Sequence, residues 1–174
     1  MTELALTGMD AIPLRGADLA SSLREKITDS VIELTVRGGA PPVLVTVLVG
    51  TNASAEAYRA SIRRTLRTVP IEHHSINLPV ETTKSRFIDT LTGLNRDPLV
   101  TGVMVLMPLP EHIGHDAVLE VLSPLKDVDG ITPTNAGRMH LGLPSLKPST
   151  PQGGIELLDH YDIPIAGSRI AVIG

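Results

Sequence analysis

The feature that most limits how this chain can fold is a seven-residue strand pattern, Val43 to Val49, with an amphipathic helical pattern on each side of it. The run is almost continuously apolar and β-branched, which is typical of a strand covered on both faces in a parallel sheet. Before it, apolar residues at three- and four-residue steps predict a helix from Asp18 to Leu34, which Gly38 and Gly39 end. After it, the same spacing predicts a second helix from about Ala53 to Thr68.

The alternation of strand and helix continues beyond this second helix. A second strand is predicted from Ile71 to Leu78, and a third from Gly102 to Leu106. Between these two strands, Thr82 or Thr83 can cap a third helix. Because strands separated by helices are joined by right-handed crossovers, the order predicts an α/β fold with a doubly wound parallel sheet.

After the third strand the pattern becomes irregular. A short helix is predicted near His115 to Leu122, and the segment from Ser123 to Pro151 is rich in proline, glycine, asparagine and threonine with little periodicity. A long irregular segment of this kind predicts a functional loop or a linker. Thr150 and Pro151 then predict an N-cap and the first residue of a last helix. The residues from Arg169 to Gly174 are predicted to form a strand that stops where a dinucleotide-binding turn would begin.

The composition excludes several classes of function. Lys and Arg total 15 against 19 for Asp and Glu, a net charge of −4 with no basic run, which disfavours nucleic-acid binding. No apolar stretch approaches about 18 residues, and no basic segment followed by an apolar one opens the chain, so we expect neither a membrane span nor a signal peptide. The chain has no cysteine and therefore no disulfide or catalytic thiol, which fits a cytoplasmic protein. The six histidines form no credible ligand set, so we expect no metal.

The strand ends predict where a ligand would bind. In an open parallel sheet, ligands bind beyond the carboxyl ends of the strands. Three segments leave such ends, residues 50–58, 106–110 and 123–135, and we expect them to form one cleft. Within it Asp127 and Asp129 lie two residues apart, so in an extended backbone one carboxylate faces the cleft while the other secures the loop. An Asp-rich turn without a ligand is the alternative.

Tyr58 is the other candidate for a binding residue. It lies on the second helix soon after a strand end, where a flat ring can stack on an aromatic ligand. A position in the core or at the rim is the alternative. The sequence contains two other aromatic residues, Phe87 and Tyr161, so an aromatic residue in a site would be conspicuous.

Several short motifs occur in an order that resembles one known family. They are Val-Leu-Val-Gly at 47–50, Tyr58, Gly-Val-Met-Val-Leu-Met-Pro-Leu-Pro at 102–110, Pro-Leu-Lys-Asp-Val-Asp-Gly at 124–130, Asn-Ala-Gly-Arg at 135–138 and Pro-Ser-Thr-Pro-Gln-Gly at 148–153. Each motif is weak alone, but in this order and spacing the chain is similar to the bifunctional methylenetetrahydrofolate dehydrogenase/methenyltetrahydrofolate cyclohydrolase family from about Ile12 to Gly174. The resemblance implies a folate-binding domain over residues 1–149. It also implies that residues 150–174 contain a linker helix and only the first strand of a nucleotide-binding Rossmann domain.

The resemblance further implies which residues bind the substrate. In the family, the tyrosine that matches Tyr58 stacks on the p-aminobenzoyl ring of folate, and the aspartate that matches Asp129 hydrogen-bonds the pterin. A carboxylate suits a pterin edge because it accepts two N–H donors at once. The wall of the cleft is formed by residues that match Val105, Leu106, Met107 and Pro108. NADP is the implied cofactor, and a cytoplasmic homodimer is the implied assembly.

Three positions depart from the family pattern. Ile62 occupies the position of the family's lysine, four residues after the tyrosine, and Leu106 occupies that of the glutamine that holds this lysine. Ala55 stands where the family usually has serine. Arg63 and Arg64 project about 100° and 200° around the helix from Ile62, so neither should replace the lysine. We therefore predict that the cyclohydrolase step is impaired or absent, because opening the methenyl bridge with water needs a group that handles protons.

Length is a further departure from the family. There, the glycine that matches Gly174 begins the turn that holds NADP, and the domain that continues from it is not among these 174 residues. Two functions therefore stay open. One is NADP-dependent oxidation of 5,10-methylenetetrahydrofolate to 5,10-methenyltetrahydrofolate, which requires that a cofactor domain exists. The other is a non-catalytic paralogue that binds folate or regulates an active homologue.

Overall fold

The structure, a computed structural model, describes residues 12–173. Within that range it contains six helices and three strands. In chain order they are α1 (Ala17–Val36), β1 (Val43–Val49), α2 (Ala53–Leu66), β2 (Glu72–Leu78), α3 (Lys84–Arg96), β3 (Gly102–Val105), α4 (Asp116–Val121), α5 (Pro133–His140) and α6 (Ser149–His160). Every element predicted before residue 123 is present, with ends close to those that periodicity indicates.

The three strands form one parallel sheet in the order β2-β1-β3. In the register of β1 with its two neighbours, Val43 lies opposite Glu72 of β2 and Leu44 lies opposite Gly102 of β3. A single parallel bridge between Val103 and Asp127 places the residue 126–130 segment along the free edge of β3. The parallel α/β fold that the alternation predicts is therefore confirmed.

The side chains of β1 alternate between two apolar layers, one on each face of the sheet. Val45 and Val47 pack into the layer that contains Phe87 and Leu91 of α3, both fully buried. Leu48 packs into the other layer, beneath α2. Burial on both faces explains why β1 is apolar at nearly every position rather than at alternate ones.

Side-chain caps determine where α2 and α3 begin. The Asn52 side chain accepts a hydrogen bond from the Ala55 backbone N–H at 3.0 Å, and the Thr83 hydroxyl accepts one from the Arg86 N–H at 3.2 Å. Each bond satisfies a backbone donor that the first turn of a helix leaves without a partner. Of the two predicted caps for α3, Thr83 is therefore the one used.

The segment predicted to be irregular contains the helix α5. Thr132 is its N-cap, with the hydroxyl accepting from the Asn135 N–H at 3.5 Å, and Pro133 is the first helical residue. The prediction of an irregular chain from Ser123 to Pro151 was therefore wrong over these residues. Periodicity missed the helix because it is short, contains Gly137 and buries only Asn135, a polar residue.

The C-terminal part of the described chain differs from the prediction in two ways. Helix α6 begins at Ser149 after Pro148, which makes no side-chain cap, so Thr150 lies inside the helix and is not its N-cap. Residues 169–173 form no strand, because no described strand lies beside them to accept their hydrogen bonds, and a strand is stable only when paired. Gly174 lies outside the described residues.

The two helices α1 and α6 lie at the surface. In α1 only Val31 is buried, and in α6 no residue is. The start of α1 is joined to the end of α6 by Tyr161, whose hydroxyl accepts from the Arg15 N–H at 3.0 Å and donates to its carbonyl at 3.1 Å. No helix within residues 12–173 combines the length and apolarity that crossing a membrane requires.

Candidate functional site

The positions that depart from the family pattern meet in one apolar cluster beneath α2. Ala55 and Leu106 are buried in this cluster with Leu48 and Met104, and the partly buried Ile62 packs against it, as do Leu44 and Val128. We call this set the α2-face cluster. The structure therefore brings Ile62 and Leu106 together, although they are far apart in the sequence.

Tyr58 lies on α2 one turn before Ile62, and its side chain is 50% exposed. Residues four apart on a helix share one face, so the ring stands beside the α2-face cluster without being part of the core. Of the alternatives for this residue, a core position is therefore wrong. Stacking on a ligand stays a prediction, and the half-exposed ring is available for it.

The two carboxylates of the 126–130 segment have different surroundings. Asp127 is fully buried and accepts three hydrogen bonds, from the Ile131 N–H at 3.2 Å, the Thr132 N–H at 2.8 Å and the Asn135 side-chain amide at 3.0 Å. Burial by itself raises the pKa of Asp127, but the hydrogen bonds from Asn135, Thr132 and Ile131 outweigh it and lower the pKa below its ordinary value. Asp127 therefore secures the loop, as predicted for one of the two carboxylates.

Asp129 lies two residues further on, in a partly buried position. It follows Val128, which packs on the α2-face cluster, and one of its carboxylate oxygens accepts from the Ser149 hydroxyl at 3.1 Å. Val128, next to Asp129 in the chain, and Ile62, one helical turn after Tyr58, contact the same cluster. Neither Tyr58 nor Asp129 belongs to this cluster.

Close packing around Gly130 holds the Asp129 backbone in place. Gly130 has a φ of +63°, and a Cβ on it would lie 2.6 Å from the Lys147 carbonyl carbon and 2.7 Å from the Pro148 nitrogen. Only glycine allows the loop to approach the start of α6 this closely. The same approach brings Ser149 within hydrogen-bond distance of Asp129.

The Lys126 side chain holds the acidic loop against the end of α3. Its ammonium donates to the Leu94 carbonyl at 2.8 Å and to the Asp97 carbonyl at 2.6 Å. These carbonyls lie at the end of α3, where a cation interacts favourably with the helix dipole. Because Lys126 is held there, we do not assign it the role of the family's lysine.

The predicted wall segment divides between the two faces of the sheet. Leu106 belongs to the α2-face cluster, whereas Val105 packs in the layer beneath α3 and α4, on the opposite face. The Val105 side chain therefore packs on the opposite face from Leu106, and its part in substrate binding stays a prediction. Met107 and Pro108, which follow at the strand end, are exposed.

No three histidine, aspartate or glutamate side chains within residues 12–173 lie close enough together to hold a metal ion. The predicted NADP contact, Gly174, lies outside the described residues. Residues 169–173 form no strand, so the described residues show no cofactor site and NADP binding stays a prediction.

Sequence reasoning missed three residues around the acidic loop: Thr132, Asn135 and Ser149. A signal for the first two was present, because threonine followed by proline and, three residues after the threonine, by asparagine is compatible with a capped helix start. No local signal points to Ser149, because its partner Asp129 lies 20 residues earlier in the chain.

The fold and the site together define a class: an open parallel α/β domain with an exposed aromatic ring on α2, an acid in the loop beside β3 and an apolar cluster beneath α2. Residues 14–129 match the family model described as tetrahydrofolate dehydrogenase/cyclohydrolase, catalytic domain. The chain belongs to this family.

Curated relatives agree with this assignment. The chain is 38% identical over 166 residues to the bifunctional protein FolD of Herpetosiphon aurantiacus, a match that covers 95% of this chain and 58% of the relative. It is 39% identical to the FolD protein of Chloroflexus aurantiacus over the same shares of each chain. This chain thus spans a little more than half the length of the relatives it matches.

Solved structures agree as well. The bifunctional FolD enzyme of Campylobacter jejuni superposes with a TM-score of 0.82 at 32% identity, over 86% of this chain and 53% of that one. The FolD enzyme of Trypanosoma brucei, solved with NADP cofactor and an inhibitor, gives a TM-score of 0.85 at 26% identity, over 92% and 55%.

Proposed function

We propose that this chain is the folate-binding part of a one-carbon enzyme and that it binds tetrahydrofolate derivatives at the edge of the α2-face cluster. Tyr58 stacks on the p-aminobenzoyl ring, and Asp129 accepts hydrogen bonds from the pterin. The observation that supports the proposal is that Ile62, one helical turn after Tyr58, and Val128, next to Asp129 in the chain, pack on the same apolar cluster. A flat ring, an acid and an apolar surface are what an amphipathic heteroaromatic ligand requires.

In a polypeptide that also contains a cofactor domain, the reaction we propose is NADP-dependent oxidation of 5,10-methylenetetrahydrofolate to the 5,10-methenyl form. The contribution that we propose for residues 12–173 is to hold the folate. We therefore assign no step of hydride transfer to them. A cytoplasmic homodimer is part of the same proposal and rests on the family alone.

We further propose that the cyclohydrolase step is impaired or absent. Ala55, Ile62 and Leu106 replace three polar family residues within a single cluster. Because lysine and glutamine are lost together, neither leaves the other as an unpaired buried polar group, so the apolar replacement is stable. The same replacement removes the proton-handling group, whose loss typically costs about 10²–10⁴ in rate.

Titration calorimetry of the chain with tetrahydrofolate tests the binding proposal. Tyr58→Ala should weaken binding about tenfold or more, since stacking on an aromatic ring is worth about 1–3 kcal/mol. Tyr58→Phe is the matched control: it keeps the ring and should bind within about twofold of the parent chain. Equal affinity of all three proteins would refute the stacking role.

The cyclohydrolase proposal is tested by restoring the polar pair. Ile62→Lys with Leu106→Gln should raise the rate of methenyltetrahydrofolate hydrolysis above that of the parent, whereas Ile62→Lys alone should also lower stability by burying an unpartnered charge. A parent chain that already hydrolyses the substrate at the rate of the double variant would contradict the proposal.

A second candidate function is favoured by the concentration of all three replacements in one cluster. A non-catalytic paralogue that binds folate, or that partners an active homologue, needs no proton-handling group. Folate binding without methylenetetrahydrofolate oxidation by a version that includes the cofactor domain would support this candidate. Oxidation by that version would support the enzyme.

A further inference from the structure

A basic groove runs between α2 and the edge strand β2. Two adjoining cavities, of about 310 and 290 Å³, share Arg63 as a lining residue. The helix contributes arginines at four-residue steps, and the strand contributes the alternate residues that face the helix. We call this surface the arginine groove; its polar residues are Glu56, Arg59, Arg63, Arg67, His73, Ser75 and Asn77.

The arginine groove and the α2-face cluster share helix α2 but have different lining residues. The sheet order β2-β1-β3 places β2 on one side of the central strand, and β3, which carries Leu106 at its end, on the other. The groove uses Arg63, whereas the α2-face cluster uses Ile62. A ligand in the groove would therefore contact other side chains than a ligand on the α2-face cluster.

The three arginines of the arginine groove outnumber its one acid, Glu56. The ion pairs within residues 12–173 are Arg37 with Glu33 and His74 with Glu72, so none of the three groove arginines has a carboxylate at ion-pair distance. Glu56 lines one end of the groove but makes no such contact. Like charges four residues apart weaken a helix, and this chain, with a net charge of −4, has no general excess of cations.

The strand side of the groove is organised by a buried hydroxyl. Thr46 of β1 is fully buried, and its Oγ1 lies 3.0 Å from His73 Nε2 and 3.3 Å from Ser75 Oγ. The side-chain oxygen of Asn77 accepts a hydrogen bond from Arg59. The neutral polar groups of β2 are therefore held on the same side of the sheet as the guanidinium groups.

The field in the groove is already positive enough to affect a titratable neighbour. Burial lowers the pKa of His73, and the charges of Arg63, His74 and Arg59 lower it further. A histidine in this field is disfavoured as a cation, so the groove's positive charge comes from its arginines. An anion placed between them would relieve their mutual repulsion.

We propose that the arginine groove binds a small phosphorylated ligand. Guanidinium groups bind phosphate through paired N–H donors and are more weakly hydrated than ammonium groups, which makes arginine the side chain suited to this anion. Successive arginines at four-residue steps are about 6 Å apart along the helix, so neighbouring guanidinium groups can contact a diphosphate together. The cavity volumes lie at the lower end of the range for small-molecule sites, which fits a phosphate group with a short attached moiety.

Titration of the whole chain with sodium pyrophosphate at constant ionic strength tests the proposal. We expect saturable binding that Arg63→Gln weakens about tenfold or more. Arg64→Gln is the matched control, because it removes the same charge from the next position of the same helix without lining the groove. It should bind within about twofold of the parent.

Three further measurements check that the variants are folded, where pyrophosphate binds and whether phosphate is required. Far-UV circular dichroism and the melting temperature of each variant should match the parent, because glutamine is a good helix former. In nuclear magnetic resonance spectra of the parent chain, pyrophosphate should shift backbone amides of α2 and β2 and leave those around Asp129 unchanged. Citrate, an oligoanion without phosphate, should bind more weakly than pyrophosphate.

Three results would overturn the proposal: no saturable binding, equal losses in Arg63→Gln and Arg64→Gln, or citrate that binds as tightly as pyrophosphate. Tetrahydrofolate titration of the same samples separates this proposal from the function proposed above. Arg63→Gln should leave folate affinity unchanged, so either proposal can fail without the other.

Discussion

Replacing Asp127 by asparagine tests whether the buried carboxylate holds the acidic loop. The side chain keeps its shape, but one oxygen that accepts hydrogen bonds becomes an NH₂ group that faces another donor. One hydrogen bond to a charged acceptor is worth about 1.5–3 kcal/mol, and a buried donor left without a partner costs about 1–3 kcal/mol. Because the residue is fully buried, solvent screens little of this effect. We expect Asp127→Asn to lower the free energy of unfolding by about 3 kcal/mol at pH 7.

The effect of Asp127 should depend on pH in a defined direction. The pKa of Asp127 is lowered in the folded chain, whereas in the unfolded chain it is about 3.9. The carboxylate therefore contributes stability that is fully present above about pH 4 and is lost as the pH falls through the folded-state pKa. The difference between the parent and Asp127→Asn should accordingly be large at pH 7 and shrink below pH 4.

Urea unfolding followed by circular dichroism at several pH values between 3 and 7 measures this difference. Asp129→Asn is the matched control, because Asp129 is less buried and its one described hydrogen bond is to the Ser149 hydroxyl. It should change the unfolding free energy at pH 7 by about 1 kcal/mol or less. Equal destabilisation by the two variants, or a parent–variant difference that does not shrink in acid, would refute the reasoning.

Three further predictions concern packing and capping. Gly102→Ala should destabilise the chain by about 1–3 kcal/mol in urea unfolding, because its Cβ would lie 2.4 Å from Val128 Cγ1. Adding Val128→Ala should restore part of the lost stability. A double variant no more stable than Gly102→Ala would argue against this contact. Asn52→Ala should cost about 1 kcal/mol through loss of the α2 cap, a loss that Asn52→Ser should largely avoid. Phe87→Ala should cost about 3–5 kcal/mol by leaving a cavity in the core; a thermal melt close to that of the parent would show that Phe87 does not contribute as its burial implies.

The sequence pattern predicted helices and strands correctly where a segment was long and periodic. The apolar run of β1 predicted a strand covered on both faces, and the structure places α2 on one face and α3 with α4 on the other. The pattern did not predict helix α5. This helix is held by Thr132, Asn135 and their hydrogen bonds to the rest of the loop rather than by an apolar stripe. Periodicity reports burial of apolar faces and is insensitive to helices fixed by polar contacts.

The candidate site was predictable in part for the same reason. The two-residue spacing of Asp127 and Asp129 indicated that their carboxylates would differ, since an extended backbone directs alternate side chains to opposite sides. Which of the two secures the loop was decided by Asn135, a residue in a helix that the pattern did not predict. The hydrogen bonds from Lys126 to the end of α3 join residues 32 and 29 positions apart, and no local pattern contains such a pairing.

What the sequence alone determined is therefore the order of helices and strands, the parallel sheet and the residue types available at the strand ends. Only the tertiary structure gathered Ala55, Ile62 and Leu106 into one cluster and set the arginines of α2 opposite the polar side of β2. The physical reason is range: backbone periodicity acts over a few residues, whereas packing and hydrogen bonding select partners by their positions in space after the sheet has formed.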